Sequence, residues 1–208
     1  MGEMEVVEHV DADHPEIIRW VDEQAGEGDA VSRLLNLYLK VRDQIRYDPY
    51  TLVMDPRQIK ASLTLQRGKG YCIEKSLLLA ACGRVLGIPS RLGFSIVRNH
   101  ISTEKFRRLL RSDLFVFHGY NLFFLHNRWV KCTPAFDAAL CARFGVAPLP
   151  FNGKEDSVFQ EFVSGKQYME YIHEYGAFDD LPYALFEQEL RQYYPHLFEE
   201  RMGTSLIR

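Results

Sequence analysis

Residues 67–89 read RGKGYCIEKSLLLAACGRVLGIP, and they form the part of the chain with the strongest structural pattern. Glycines precede Cys72, and from Ile73 onward apolar residues recur every four positions. Further apolar residues between them make a helix here apolar on nearly every side. This pattern predicts a buried helix. Gly87 suits the left-handed residue after a helix end, and Pro89 blocks continuation. The sequence therefore predicts a central helix that begins at Cys72.

Cys72 is a candidate nucleophile because of its position at the start of this helix. The free N–H groups and the positive end of the helix dipole favour a thiolate there. The competing interpretation is an ordinary core cysteine, since free cysteine is among the most buried residue types. This stretch alone leaves the two interpretations open.

The composition is typical of a globular protein, with 208 residues, 47% hydrophobic residues and a net charge of -3. This charge gives no reason to expect nucleic-acid or anionic-membrane binding. No apolar run reaches membrane-spanning length, and the acidic first residues are unlike a signal peptide, so we expect a cytoplasmic protein. Four cysteines without a Cys-x-x-Cys pair, and histidines without ligand spacing, predict neither a metal site nor a cofactor.

Helical patterns predict two helices before the central one. The first begins at Asp13-His14-Pro15 and runs to about Gly26, and the second is capped by Asp29 and ends near Pro49. Residues 51–66 are weakly patterned and are interpreted as a connector. We expect one domain over residues 1–208, with a core at about 30–140 and residues 141–208 as its C-terminal extension.

Strand patterns follow the central helix. Residues 91–97 predict a strand, and 98–113 a short surface helix with a basic outer face. Residues 115–125 and 128–133 predict a hairpin with His126-Asn127 as its turn. Beyond Pro134 the chain is rich in turn signals. Possible edge strands at 158–162 and 167–173, and a last helix over about 181–194, complete the pattern.

The hairpin offers a base for the cysteine. By the period-two rule His118 shares a face with Val116, Tyr120, Leu122 and Phe124. A two-residue turn pairs Leu125 with Arg128 and would pair His118 with Ala135. Thr133 and Asp137 would then be diagonal neighbours of His118, at roughly 7–8 Å. A three-residue turn would instead reverse the face of the second strand, and Pro134 is expected to end regular pairing before Asp137.

Five elements in order resemble the transglutaminase-like superfamily of Cys-His-Asp enzymes. They are Gly70-Tyr71-Cys72, Leu78-Leu79-Ala80-Ala81, Gly87-Ile88-Pro89-Ser90-Arg91, His118 and Arg128-Trp129-Val130. The resemblance covers about residues 30–140. It implies an α+β papain-like fold, in which the N-terminal helices and the cysteine helix pack on an antiparallel sheet.

The same resemblance implies roles for individual residues. Cys72 would be the nucleophile and His118 the general base and acid. The Cys72 N–H would form part of the oxyanion hole, with Gln66 as a possible side-chain donor. The family has Asp-Pro-Thr after the tryptophan strand, whereas this chain has Thr133-Pro134-Ala135. The orienting acid is therefore expected at Asp137, with Thr133 as the alternative.

The implied activity is thiol-dependent acyl transfer from, or hydrolysis of, an amide in a protein, peptide or small molecule. A hydrolase (protease or amidase) is preferred to a crosslinking transferase, because the chain lacks a recognisable calcium loop. Residues 67–74 also resemble the Arg-Gly-Gly-x-Cys-x-Glu element of arylamine N-acetyltransferases, shifted by one residue. The third possibility is a degenerate, non-catalytic binding or scaffold module.

Overall fold

The computed structural model describes residues 9–99, 103–158 and 169–199, which contain both helices and strands. The helices are α1 (Pro15–Gln24), α2 (Ala30–Gln44), α3 (Ala61–Arg67), α4 (Cys72–Val85), α5 (Glu104–Leu110), α6 (Ala138–Phe144), α7 (Tyr183–Tyr193) and α8 (His196–Glu199). The strands are β1 (Arg46–Tyr47), β2 (Lys69–Gly70), β3 (Ser90–Asn99), β4 (Leu114–Leu125), β5 (Arg128–Cys132) and β6 (Met169–Phe178). The predicted α+β class is confirmed.

Helix α4 forms the centre of the core, as predicted. Every residue from Cys72 to Gly83 is buried, which matches a segment that is apolar nearly all round. The helix ends at Val85, and Gly87, just beyond it, has a left-handed φ of 71°. The Ile88 N–H donates to the Gly83 carbonyl at 2.9 Å, so the last turn is satisfied before Pro89.

Four strands form one antiparallel sheet in the order β5-β4-β3-β6. The predicted two-residue turn is confirmed, because His126 and Asn127 both have positive φ and Leu125 pairs with Arg128. Helix α4 packs on β3 and β4, and the Asn121 amide donates to the Ser76 carbonyl at 2.8 Å. On its other side α4 contacts α1, α2 and α3. The cysteine helix thus lies between the sheet and the N-terminal helices.

Two short helices differ from the sequence expectation. The connector at 51–66 contains most of α3, whose buried face holds Ser62 and Thr64 beside Ala61 and so lacks an apolar repeat. Helix α6 lies in the segment expected to be turns, and Cys141 is its one buried residue. Neither helix has the hydrophobic periodicity on which a sequence prediction depends.

The remaining boundaries are close to those expected. The basic helix is shorter than predicted, because Arg98 lies in β3 and only residues 104–110 are helical. The edge strand expected at 167–173 corresponds to β6, whereas residues 159–162 of the other expected strand lie outside the described residues. Among the described helices none is both long and apolar enough to span a membrane. The assignment of residues 1–208 to one domain stays a prediction.

Candidate active site

Glu74 holds the first turn of α4 in place. Its side chain is fully buried, and burial raises the pKa of its carboxyl group, against the effect of the nearby Arg67 charge. The carboxylate accepts the Tyr71 N–H at 3.2 Å and the Thr51 hydroxyl at 2.7 Å, and it forms an ion pair with Arg67. The Glu74 side chain, in the first turn of α4, therefore bonds back to the backbone just before the helix and fixes where the helix starts.

Gly70 makes this arrangement possible. A Cβ atom at Gly70 would come within 2.9 Å of the Glu74 Cβ and 3.2 Å of the Thr64 Cγ2. No larger residue fits here without a shift of these neighbours. Glycine at position 70 thus leaves room for the Glu74 carboxylate to reach the Tyr71 N–H. Because Tyr71 is the residue before the helix, Cys72 is the first residue of α4.

Cys72 is buried, with 9% of its surface exposed. Burial raises the pKa of its thiol to about 11, although hydrogen bonding from the backbone of Gly119, Ile73 and Cys72 itself lowers it. The expectation that the helix start makes a thiolate easily is therefore wrong for the resting protein. Loss of hydration outweighs the backbone N–H groups, so near neutral pH the group is a thiol.

His118 lies in β4 and is also buried, with 4% of its surface exposed. Burial lowers the pKa of its imidazole to about 4, so near neutral pH the ring carries no charge. Within the described part of the chain its Nε2 atom is buried and has no hydrogen-bond partner. The Phe136 and Tyr171 rings lie 6.5 Å and 6.4 Å from the imidazole, measured between ring centroids.

The regular alternation of β4 is interrupted next to His118. Phe117 has a φ of 62°, which is rare for an aromatic residue, and the pairing with β3 shifts between Ser95 and Val97. The consecutive residues Val116, Phe117 and His118 all line one cavity. A simple period-two interpretation of the strand does not predict this.

The cavity joins Cys72 to His118. It has a volume of about 50 Å³, and both residues contribute to its wall. Among the described residues, the rest of the lining is almost entirely aromatic and aliphatic and contains no Asp, Glu, Lys or Arg. Phe106 comes from α5, and Phe186, Leu190 and Tyr194 come from the C-terminal segment. The last third of the chain therefore helps to enclose the candidate site.

Asp137 has other partners than His118. Its Oδ1 accepts the Leu140 N–H at 2.7 Å as the cap of α6, and its Oδ2 accepts the Tyr47 N–H at 2.9 Å. No hydrogen bond between Asp137 and His118 occurs among the described residues. Asp137 as the orienting acid stays a prediction, but the contacts that we observe are structural.

Thr133 likewise makes backbone contacts. Its hydroxyl donates to the Gly119 carbonyl at 3.5 Å and accepts the Ala135 N–H at 3.4 Å. Pairing of β5 with β4 ends at Cys132, after which the Thr133 N–H donates to Ser157 at 3.2 Å. The predicted pairing of His118 with Ala135 is therefore wrong, because pairing with β4 ends at Cys132, before Pro134 is reached.

Gln66 does not lie at the thiol. It is exposed near the end of α3, and its amide donates to the Glu16 carboxylate of α1 at 2.7 Å. Gln66 as an oxyanion donor stays a prediction, but the contact that we observe directs this side chain from the exposed face of α3 toward α1. The Cys72 N–H stays a predicted donor at the start of α4.

Lys75 is a buried charge behind the candidate site. Its Nζ donates to the Arg42 carbonyl at 2.8 Å. Burial lowers the pKa of its amino group to about 7, whereas the Asp137 and Asp43 charges raise it. Asp137 is thus an electrostatic neighbour of Lys75. This arrangement joins α4 to α2 and to the segment that begins α6.

Several residues at the site were not predicted. Gly119 follows His118, and its backbone hydrogen bonds to the Cys72 sulfur. The one sequence signal for Gly119 was its position next to the candidate base. Tyr71 lines the cavity, and its buried hydroxyl has no hydrogen-bond partner in the described segments. Within the same segments we find no group of three or more His, Cys, Asp or Glu residues that fits a metal ion.

Comparison with known proteins gives one family match. The model of the transglutaminase-like superfamily matches residues 18–134. A crystal structure of a proposed cysteine protease from Cytophaga hutchinsonii aligns with a TM-score of 0.45 at 14% sequence identity, covering 82% of this chain and 51% of that chain. The chain thus spans about half the length of that protein. No protein with a curated description matches the sequence significantly.

Proposed function

Because the chain belongs to the transglutaminase-like superfamily, we propose that it is a thiol-dependent enzyme that accepts an acyl group from an amide on Cys72. His118 acts as the general base and acid. The observation that carries this proposal is the shared cavity, whose wall contains both Cys72 and His118 at the first turn of α4. A nucleophile and a base beside one cavity are the minimum set for covalent acyl transfer.

The charge states support a reaction that starts from a neutral pair. The Cys72 thiol transfers its proton to the His118 imidazole as the sulfur attacks the amide carbonyl. The carbonyl oxygen gains negative charge, which the Cys72 N–H stabilises. The C–N bond then breaks, and His118 returns the proton to the leaving amine. What remains is a thioester on Cys72 and a neutral imidazole.

The second half of the reaction decides between hydrolase and transferase. Water attacks the thioester with His118 as base, which releases a carboxylic acid and regenerates the thiol. An amine attacking the same thioester would give a new amide. We prefer hydrolysis, since no calcium loop is recognisable in the sequence. Asp137 or Thr133 would orient His118 only if one of them moved to meet the ring.

The experiment is to trap the acyl-enzyme. Wild-type protein is mixed with p-nitrophenyl butanoate, and the modified residue is identified by mass spectrometry. We expect butanoyl-Cys72 in the wild type and none in Cys72→Ala. Cys82→Ala is the matched control, because Cys82 lies in the same helix but is fully buried outside the cavity lining. Equal labelling of the wild type and Cys72→Ala would overturn the proposal.

Acyl acceptors separate the enzymatic alternatives. With water alone, a hydrolase releases butanoic acid, and added methylamine increases the rate of thioester breakdown only in a transferase. Acetyl-CoA together with an aromatic amine tests the N-acetyltransferase alternative. An acetylated Cys72 that transfers its acetyl group to the amine would replace the hydrolase proposal.

A non-catalytic binding module is the second candidate. It is favoured by the lack of a carboxylate hydrogen-bonded to His118 in the described residues, and by the raised pKa of Cys72. A triad whose base has no orienting acid is a weaker catalyst. For a binding module we expect the same slow labelling of Cys72 in wild type and in His118→Ala, whereas an enzyme loses its labelling rate in His118→Ala.

A further inference from the structure

We infer that the cavity between Cys72 and His118 is the acyl-binding subsite and that it selects short, uncharged, apolar acyl groups. This inference rests on the proposed function and goes beyond it by naming the chemical class of the substrate. Three features of the cavity carry it: the nature of its wall, its volume and the elements that close it.

The wall of the cavity is apolar. Leu52, Phe115, Val116 and Phe117 contribute to it, together with Phe186 and Leu190 from α7. The lining that the structure describes contains no ionised side chain to pair with a charged group. An acyl group with a carboxylate or ammonium would lose its hydration there without compensation, which disfavours its binding. Alkyl chains lose no such hydration and gain the hydrophobic contribution of burial.

The volume limits the length of the acyl group. A cavity of about 50 Å³ exceeds what one water molecule needs by a factor of about four. It therefore holds a chain of roughly two to four carbon atoms, as in acetyl to butanoyl groups. The outer carbons of an octanoyl chain would extend through the open side of the cavity and gain no burial there.

Two residues of the lining have buried polar atoms without a partner. The Tyr71 hydroxyl and the His118 Nε2 are buried without hydrogen-bond partners among the described residues, and both residues line the cavity with Cys72. An unpaired buried hydroxyl costs free energy that a bound carbonyl recovers. The lining thus combines a few hydrogen-bonding residues with a mainly apolar set, and it fits an acyl group whose one polar part is its carbonyl.

The closing residues set the depth of the subsite. Tyr194 donates to the Leu114 carbonyl at 2.6 Å and accepts the Val116 N–H at 3.0 Å, which fixes the end of α7 on β4. Phe186 stacks edge-on against Phe117 with ring centroids 5.6 Å apart. These contacts keep the apolar wall close to the thiol.

The test uses p-nitrophenyl esters that differ only in the acyl group: acetyl, butanoyl, octanoyl and succinyl. We expect kcat/KM for butanoyl to exceed that for octanoyl at least about tenfold, and that for succinyl at least about 100-fold, because a buried carboxylate has no counter-charge. Each rate is corrected for Cys72→Ala. Cys72-dependent turnover with succinyl or octanoyl equal to butanoyl would overturn this inference and leave the proposed function intact.

Binding gives a readout that needs no turnover. Butanamide is expected to protect Cys72 from alkylation by iodoacetamide, whereas succinamic acid at the same concentration is not. Equal protection by both, or by neither, overturns the inference. Loss of every Cys72-dependent ester reaction while butanamide still protects would overturn only the proposed function.

A pair of variants locates the subsite. Leu52 lines the cavity and Leu181 does not, and both leucines are buried. Leu52→Ala is expected to enlarge the space and to raise the octanoyl-to-butanoyl ratio of kcat/KM at least about fivefold. Leu181→Ala removes the same methyl groups elsewhere and leaves that ratio unchanged. The same ratio in both variants would contradict the placement of the acyl chain.

Discussion

Gly119 lies directly against Ile73, so that a Cβ atom on Gly119 would come within 3.0 Å of the Ile73 Cα and 3.3 Å of its nitrogen. The strand that carries His118 therefore touches the first turn of the helix that carries Cys72. Backbone atoms are rigid compared with side-chain ends, so this approach depends on the absence of a side chain at position 119. The separation of the two reactive residues is set by this contact.

Gly119→Ala is predicted to separate β4 from α4. The added methyl group meets backbone atoms, so we expect the free energy of unfolding to fall by about 1–3 kcal/mol and the rate of Cys72 acylation to fall more than tenfold. Gly83→Ala is the control, since its methyl group meets the ring of Phe123 in the same helix-sheet interface, away from the thiol. Chemical denaturation and acylation kinetics measure both effects. An unchanged acylation rate in folded Gly119→Ala would contradict this prediction.

The resting reactivity of Cys72 is predicted to be low and to rise with pH. Burial raises the pKa of the thiol to about 11, so the thiolate is scarce at pH 8. We expect alkylation by iodoacetamide to be on the order of 100-fold slower than for free cysteine, and to increase about tenfold per pH unit up to pH 10. Mass spectrometry at Cys72 follows the rate. A rate that is already constant from pH 6 upward would show a low-pKa thiolate instead.

His118 is predicted to make the fold sensitive to acid. Its pKa is about 4 in the folded protein, below the value of about 6.5 in the unfolded chain. Between these pH values the unfolded chain binds a proton that the folded protein does not, so the free energy of unfolding falls as pH falls. The loss is about 3 kcal/mol for this residue.

Urea denaturation at pH 7 and pH 4 measures this effect. His118→Gln is expected to lose that part of the pH dependence, because glutamine does not titrate. His173→Gln, at an exposed position in β6, is expected to keep it. The same pH dependence in wild type and His118→Gln would show that other groups cause it.

Asp137→Asn separates a structural role from a catalytic one. Asparagine retains an oxygen for the Leu140 N–H but loses the second acceptor for the Tyr47 N–H and the charge beside Lys75. We expect the free energy of unfolding to fall by about 1–3 kcal/mol, with the acylation rate of the folded protein nearly unchanged. Loss of a triad acid would instead cost on the order of 10⁴-fold in rate.

Asp29→Asn is the control for this substitution. Asp29 caps α2 in the same way, by accepting the Ser32 N–H at 2.8 Å, and it is exposed. Its replacement is expected to cost less stability than that of Asp137. An acylation rate that falls as far in Asp137→Asn as in His118→Ala would assign the acid to Asp137.

The parts of the fold that were predicted from sequence are those with local signals. Helix α4 has its apolar repeat and its glycine end, and the β4–β5 hairpin has Asn127 in a turn that needs positive φ. The family resemblance named Cys72 and His118, and the structure places both in the wall of one cavity, while their catalytic pairing stays a prediction. These features depend on residues close together in the chain, or on an order of motifs.

The features that were missed depend on contacts between distant segments. Burial of Cys72 outweighs the effect of the helix start on the pKa of its thiol, and the sequence pattern, which indicates both, does not show which effect is larger. The break in alternation at Phe117 comes from a bulge against β3. The partners of Asp137 are the backbone of β1 and of α6, which no hairpin register includes. Tertiary contacts therefore decide the electrostatics of this site.

The Glu74 carboxylate, which Arg67, Thr51 and Tyr71 share, has a consequence for protein engineering. A library of variants around Cys72 should therefore keep both Gly70 and Glu74. The Glu74 side chain occupies the space that a side chain at position 70 would need. Diversity is better directed to Leu52 and Leu190 on the cavity wall, where altered size changes what the protein accepts without moving the start of the helix.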